Sequence, residues 1–500
     1  MKKKSKNRIV MARLLALALL VLLPLTAGAQ MVLTLDSCRA MALRNNKQMS
    51  VARVKQEVNA NLRQSARTSY LPRVSALGGY MWTSREISIL NDEQKSVLDN
   101  LGTNASANLQ STLSPIVSQL PVAAQAKMVQ DLAQFGSSLD QVGHGIVNGF
   151  RTDTRNLFAG TVMVTQPVYM GGAIMAANKI ADINEEMAAN SLEAKQQGIL
   201  YSIDHAYWQV VSLRHKQKLA ESYVNLVKKL KSDVEKLIDK GVATKGDGLS
   251  VGVRLNEAEI ALTEVQDGLV LSKMLLCQLC GLPVNENITL ADETTAELSG
   301  NAGTLGLSQA SIETATTHRP ELKLLQNTID LTEQTTNVLK AGNLPQVLLT
   351  GGYAVTNPNT FNGFEKKFGG FWNVGVLVRI PVWNWGDVKY KVRASKGATT
   401  MANLELAEAR ETIELQVNQS RFRVNEAYKK LEMAQANVAN ADENLRMANL
   451  GFKEGTVSFT TVMEAQTAWQ LAQTKKIDAE IGVRLRLVEL QKALGTLTAN

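Results

Sequence analysis

The 500 residues are 45% hydrophobic, enough for a large core, which excludes a disordered chain and a disulfide-stapled miniprotein. Aromatic residues make up only 5% and mean hydropathy is near zero, a poor match to a bundle of membrane-spanning helices. The net charge of +8 owes six positive residues (Lys2, Lys3, Lys4, Lys6, Arg8, Arg13) to the extreme N-terminus; the remainder is nearly neutral and has no electrostatic footprint for nucleic acid.

Behind that basic start, Leu14–Leu25 is apolar but too short to span a bilayer as an anchor. Ala27-Gly28-Ala29 follows, before Gln30, and completes the tripartite export pattern, so residues 1–29 are predicted to be a signal peptide removed from the mature chain. Leu35-Asp36-Ser37-Cys38 has the outline of a lipoprotein box. It lies well beyond the apolar run, inside a helix start, and lipidation is not expected.

A helix is predicted over Cys38–Tyr70, then a strand over Val74–Thr83 and, after a Ser-, Gln-, Asn- and Ala-rich stretch, a second strand over Leu157–Gln166. Two helices follow, Gly172–Lys240 and Asp247–Gly281, the longer spanning about 100 Å at 1.5 Å per residue. The same order then returns. A helix over Ala310–Gly342 precedes strands around Val347–Val355 and Trp372–Ile380, and helices over Gly386–Glu454 and Phe459–Gly495. In the last strand Trp372, Val374, Val376, Val378 and Ile380 alternate with Asn373, Gly375, Leu377 and Arg379. In the long helices Leu431, Ala434, Val438, Ala441, Leu445, Ala448 and Phe452 step by threes and fours, a coiled-coil seam.

The recurrence is a duplication. Leu71-Pro72 and Gly78-Gly79-Tyr80 return as Leu344-Pro345 and Gly351-Gly352-Tyr353, while Pro167-Val168, Gly241 and Gly281 return at one constant offset as Pro381-Val382, Gly455 and Gly495. The two offsets differ, which places an insertion over roughly 84–150, weakly helical around 91–101 and 123–139 and expected to decorate the surface. The repeats are accordingly 30–299 and 300–500. In each, two short helices stacked end to end match the long one, giving one continuous and one composite rod.

Chemistry-bearing motifs are scarce. Cys277-Gln278-Leu279-Cys280 has redox spacing but falls at a helix end, not the helix start that would activate a thiol, so packing or an incidental bridge is favoured over a periplasmic thiol enzyme. No phosphate-binding loop, nucleophile elbow or zinc-protease signature occurs. His144, His205, His215 and His318 are scattered, and no catalytic, cofactor or metal site is predicted.

Four strands cannot close a membrane barrel, and open edges in hydrocarbon leave backbone groups unsatisfied. A cyclic homotrimer would supply twelve strands and twelve rods. Tyr80, Trp82, Tyr353, Trp372, Trp383 and Trp385 lie in or beside the strands as interfacial girdle aromatics do.

These residues resemble the TolC-like outer-membrane efflux proteins over essentially all of the mature sequence. The resemblance rests on Leu33–Ala42 with Asn45-Asn46, on Tyr70-Leu71-Pro72, Gln166–Gly172, Gly241 with Asp247, Leu279–Pro283, and the matching second-half landmarks. It implies a mainly α protomer with β: a trimeric outer-membrane β-barrel continued by an α-helical barrel in the periplasm. It also implies a passive duct of a tripartite efflux or type I secretion system, docked to a periplasmic adaptor and driven by an inner-membrane transporter; a pump-free porin or structural envelope protein is the alternative. By the same resemblance the helical tips, Lys240, Gly241, Val242 and Ala243 with Glu454, Gly455 and Thr456, meet the adaptor. The entrance is constricted at Asp247, Phe452, Val457, Thr461 and Glu464. Val457 and Thr461 stand where the family places an arginine and an aspartate, which opens apolar packing around Phe452 and Val457 as the closing force. Asp247 and Glu464 fit equally as ordinary carboxylates at helix starts.

Overall fold

The computed structural model describes residues 31–86, 88–118, 121–151, 153–293, 312–362 and 365–498. The predicted signal peptide 1–29 and the predicted repeat boundary at 299/300 lie outside the described residues. In chain order the elements are β1 (Met31–Leu33), α1 (Leu35–Asn45), α2 (Lys47–Arg67), β2 (Arg73–Trp82), α3 (Asp92–Asp99), α4 (Leu101–Val117), α5 (Val122–Gly149) and β3 (Asn156–Met170). They continue with α6 (Ala173–Asp239), α7 (Lys245–Cys280), β4 (Ile288–Leu290), α8 (Ile312–His318), α9 (Pro320–Ala341), β5 (Gln346–Asn357), β6 (Gly369–Arg379), α10 (Asp387–Lys453) and α11 (Phe459–Leu494). Two compact units result.

Among the described residues, the helical unit holds Met31–Leu62, 181–293, 312–333 and 396–498. Both α6 and α10 run 67 residues, within a residue of the predicted limits at either end. The predicted helix Cys38–Tyr70 is instead broken at Asn46, whose backbone is extended. The Asn46 amide donates to the Leu279 carbonyl at 3.0 Å and its Oδ1 accepts from the Gln48 N–H at 2.8 Å. A partner more than two hundred positions away decides that break, and local periodicity cannot show it. The predicted helix Ala310–Gly342 is interrupted at Arg319, because the residue ahead of Pro320 is pushed out of helical geometry.

Three large cores hold this unit, with two smaller clusters around Leu200 and around Val438 beside them. In the first, α1, α6 and α7 bury Cys38, Ile203, Tyr207, Val210, Leu276, Cys277 and Cys280, sealed by the short parallel pair β1–β4 that the sequence did not announce. Asp204 is fully buried there and takes a two-pronged bond from Arg39, Nε to Oδ1 at 2.7 Å and Nη2 to Oδ2 at 2.5 Å. The second unites all four long helices through Val227, Val234, Val251, Leu255, Leu445, Ala448 and Val462. The third packs Leu322 and Ile329 of α9 on Leu406, Ile413 and Val417 of α10 and Leu490 of α11.

The cysteines belong to the first core. Cys38 is buried in α1, just past the β1 residues that pair with β4, and Cys280 Sγ lies 3.8 Å from its carbonyl oxygen. A hydrogen bond to Cys280 and burial both push the Cys38 thiol up, and burial does the same to Cys277. Cys38 and Cys277 are therefore packing groups held as thiols, unlike activated thiolates, and Cys280 is buried beside them.

The second unit comprises Arg63–Ile180 and Gln334–Ser395. It contains an antiparallel sheet in the order β2-β3-β5-β6, with strands close to their predicted positions. Every residue of β2, and all but one of β6, is exposed. The segment between β2 and β3 folds as three helices, α3, α4 and α5, more helix than its Ser-, Gln-, Asn- and Ala-rich sequence suggested. The glycines are spent on close packing: a Cβ at Gly102 would run into the Gly136 carbonyl, and one at Gly143 into the Leu98 carbonyl.

Candidate functional site

Strand register sorts the sheet into two chemically distinct faces, because side chains alternate along each strand and stand opposite their partners across the pairing. Trp372 pairs with Tyr353 and Tyr353 with Val162; Val374, Gly351 and Val164 form the next row, and Val376, Leu349 and Gln166 the next. Val74, Ala76, Gly78, Tyr80 and Trp82 extend these rows onto β2. That face carries no charged residue. The opposite face presents Arg73, Ser75, Thr161, Thr165, Thr350, Asn373 and Arg379 among its apolar residues. One side therefore suits hydrocarbon and the other water, as in a membrane-barrel wall.

The predicted girdle residues divide between the two ends of the strands. Tyr80, Trp82, Tyr353 and Trp372 gather at one end, joined by Phe158, whose ring centroid is 4.8 Å from that of Tyr80. The Tyr80 hydroxyl donates to Asn156 Oδ1 at 2.8 Å. Trp383 and Trp385 follow β6 at the other end and meet edge to face at 5.7 Å. All six are exposed, Trp385 by 86%, which pure structural packing does not explain. Aromatic rings at both margins of an apolar band are the pattern of an interfacial girdle.

At the far end of α6, Gly241 adopts a φ of +73°, and Gly455 after α10 does the same, the left-handed turn that ends a helix. The Val242 and Ala243 N–H groups return to the Leu237 carbonyl, and those of Thr456 and Val457 return to Gly451. Lys240, Gly241, Val242, Glu454, Gly455 and Thr456 are exposed, and Ala243 is half-buried against the tip core. Each tip then starts a helix with a hydroxyl cap. Thr244 and Asp247 make a reciprocal capping box, the Asp247 carboxylate accepting from the Thr244 N–H at 2.8 Å. Ser458 caps α11 alone, its Oγ 3.4 Å from the Thr461 N–H.

The entrance candidates thus fall on two tips. Asp247 belongs to the first and is committed to its cap. On the second, Phe452 is half-buried against the core shared by the long helices, Val457 is half-buried, and Thr461 and Glu464 are exposed. Glu464 lines a groove of about 540 Å³ between α7 and α11, together with Arg254, Glu257 and Thr467. Sequence reasoning missed Arg254. It donates to Glu257 at 2.9 Å and to Thr467 at 2.5 Å, and the bond to Glu257 raises its already high pKa. The spacing of Arg254 and Glu257 on α7 was the available signal, masked by the apolar seam around it.

Among the described residues, no group of three or more His, Cys, Asp or Glu is arranged to hold a metal ion, and no helix is long and apolar enough to cross a membrane.

The model of the outer membrane efflux protein family matches residues 123–282 and 311–496. Outer membrane protein TolC of Vibrio cholerae is 22% identical over 361 residues, 69% of this chain and 78% of its own length. Outer membrane efflux protein BepC of Brucella suis is 22% identical over 358 residues, 70% of this chain and 74% of its own. In fold, the chain resembles the CmeC outer-membrane channel of Campylobacter jejuni, with a TM-score of 0.70 and 13% identity over 92% of this chain and 85% of that one. The VceC outer-membrane protein of Vibrio cholerae gives 0.68 and 14%, over 92% and 96%.

Proposed function

The chain belongs to the outer membrane efflux protein family and is an efflux channel protein of the outer membrane, and from that premise we propose that it works as a homotrimeric passive duct fed by an inner-membrane transporter through a periplasmic adaptor. The sheet carries this reading. It has an uncharged apolar face, aromatic margins, and open edges along β2 and β6 within the chain. Backbone groups along such edges cost several kcal/mol each in lipid, and three copies remove the edges by closing twelve strands.

Unpartnered apolar stripes on the helices support the same closure. Val51, Val54, Val58 and Leu62 line one flank of α2, and Leu249, Val253, Ile260 and Leu271 one flank of α7, all exposed. In a closed cylinder these flanks meet neighbouring rods, and the lumen stays wet while every helix satisfies its own backbone. The duplicated repeats, 30–299 and 300–500, each supply one continuous and one composite rod. The tips at Gly241 and Gly455 face the adaptor, and Asp247, Phe452, Val457, Thr461 and Glu464 line the entrance. The segments joining β2 to β3 and β5 to β6 lie at the outer surface. No catalytic step is involved; the transporter supplies the energy.

Mass measurement in mild detergent checks the reading: three chains per particle are expected, and a single-chain particle ends it. Gly455→Trp should then abolish export with trimer and surface level unchanged. Unaltered export would leave a pump-free pore.

A further inference from the structure

The insertion between β2 and β3 carries a further apolar stripe that nothing among the described residues covers. The glycines of α5 and Asp140 fix one flank of that helix. Gly136 and Gly143 meet α4 and the end of α3. The Asp140 carboxylate accepts from the Gly102 N–H at 2.6 Å and from the Thr103 N–H and hydroxyl at 3.0 and 2.6 Å. His144 Nδ1 contacts Asp99 at 2.8 Å. The hairpin is thus a braced body. Its base is clasped where the Thr83 N–H donates to the Arg155 carbonyl at 2.8 Å.

The neighbouring flank of α5 is apolar and bare. Phe135, Val142 and Ile146 are exposed, by 49%, 56% and 38%, with Leu139 between them. Their steps of four, three and four are heptad spacing, which lets identical helices mesh side by side. The charge census selects the occupant. No charged residue occurs in α4, and α5 has Lys127, Asp131 and Asp140 alone, the last already spent on the cap. A helix that lies on a membrane carries a basic polar face, which this one lacks. Copies of the same stripe can meet on a symmetry axis without like-charge repulsion. The insertion also grows from β2, the edge strand that borders the next copy in a closed barrel.

We propose that the three α5 helices of the trimer converge through Phe135, Leu139, Val142 and Ile146, forming an apolar constriction over the outer mouth of the duct. This rests on the trimeric reading above. The hairpin then serves as an exit gate, opposite in position and chemistry to the entrance at the tips.

Single cysteines in the full chain, in native membranes under a mild copper oxidant, test it. The natural cysteines are buried, so background is low. Val142→Cys should yield roughly tenfold more covalent dimer than Ser137→Cys on the opposite flank, since apposed thiols react at a high effective concentration. Val142→Asp, which puts like charges on the axis, should raise single-channel conductance several-fold with the trimer intact. Intact trimers with no excess dimer from Val142→Cys overturn the proposal, as does labelling of that cysteine by a lipid-phase maleimide. A single-chain particle removes the duct reading itself, and this one with it.

Discussion

The two units treat apolar residues in opposite ways. In the helical unit, Tyr207, Leu200, Ile203, Leu276 and Val251 lie fully buried, and each core closes within the chain. In the sheet, Val374, Val376 and Trp372 are all more exposed than buried, and the strands are joined mainly by their backbone ladders. The helical unit thus combines buried cores with bare flanks such as Val253 and Leu271, whereas no strand of the four-stranded sheet has a buried residue. The helical unit therefore has cores of its own, whereas the sheet, on the function proposed above, draws its stability from lipid and neighbouring copies.

The buried pair Arg39–Asp204 gives the sharpest way to break that contrast. Removing one partner strands a charge in the core, so Arg39→Ala should cost the helical unit about 3–5 kcal/mol, read as a shift in the denaturant midpoint of the detergent-solubilised protein. A shift below about 1 kcal/mol would mean that the unit is not closed on itself as described. On the sheet, Val374→Arg sits mid-strand on the uncharged face and should cost about 2–4 kcal/mol if that face meets lipid. It should lower the yield of heat-resistant trimer while leaving the helical midpoint in place. Leu377→Arg, on the face that already carries Arg379, should assemble normally. Equal effects of the two would dissolve the distinction between faces.

Legibility followed the same division. Strands, long helices and tip glycines could be read because period-two alternation, threes-and-fours spacing and Gly241/Gly455 are local signals. Breaks decided at long range could not. Asn46 leaves its helix for the Leu279 carbonyl, and β1 pairs with β4 across the whole first half. The α4–α5 hairpin was faint because glycine lowers helix propensity yet permits the close backbone approach that builds it. In the tip groove, Arg254 was hidden because an ion pair three residues apart looks like any solvated helix face.

Protonation offers a gentler probe of the helical unit. Burial lowers the pKa of His215, whose ring also contacts the Asp292 carbonyl at 3.4 Å. The folded state thus binds that proton less readily than the unfolded chain, near 6.5. The stabilising contribution is complete above that value and is lost as pH falls through the lower folded pKa. His215→Gln should flatten the acid limb of the helical unit's stability profile and leave trimer assembly by the sheet unaffected. An unchanged limb would assign the acid sensitivity to other groups.

The smallest effect separates the two tips from each other. Their turns match, each with a glycine at +73° and open space where a Cβ would stand, so Gly241→Ala and Gly455→Ala should each cost about 1–2 kcal/mol through the backbone alone. Their caps do not match. Asp247 returns a bond to the Thr244 N–H, whereas the Thr461 hydroxyl bonds only the Ser458 hydroxyl, at 3.3 Å. Thr461→Asp should complete the missing half of the box and place a carboxylate in the first turn of α11, together worth about 0.5–1 kcal/mol. A higher unfolding temperature with export intact would make the position a helix cap first. Export lost from a more stable trimer would instead show that the added charge tightens the entrance.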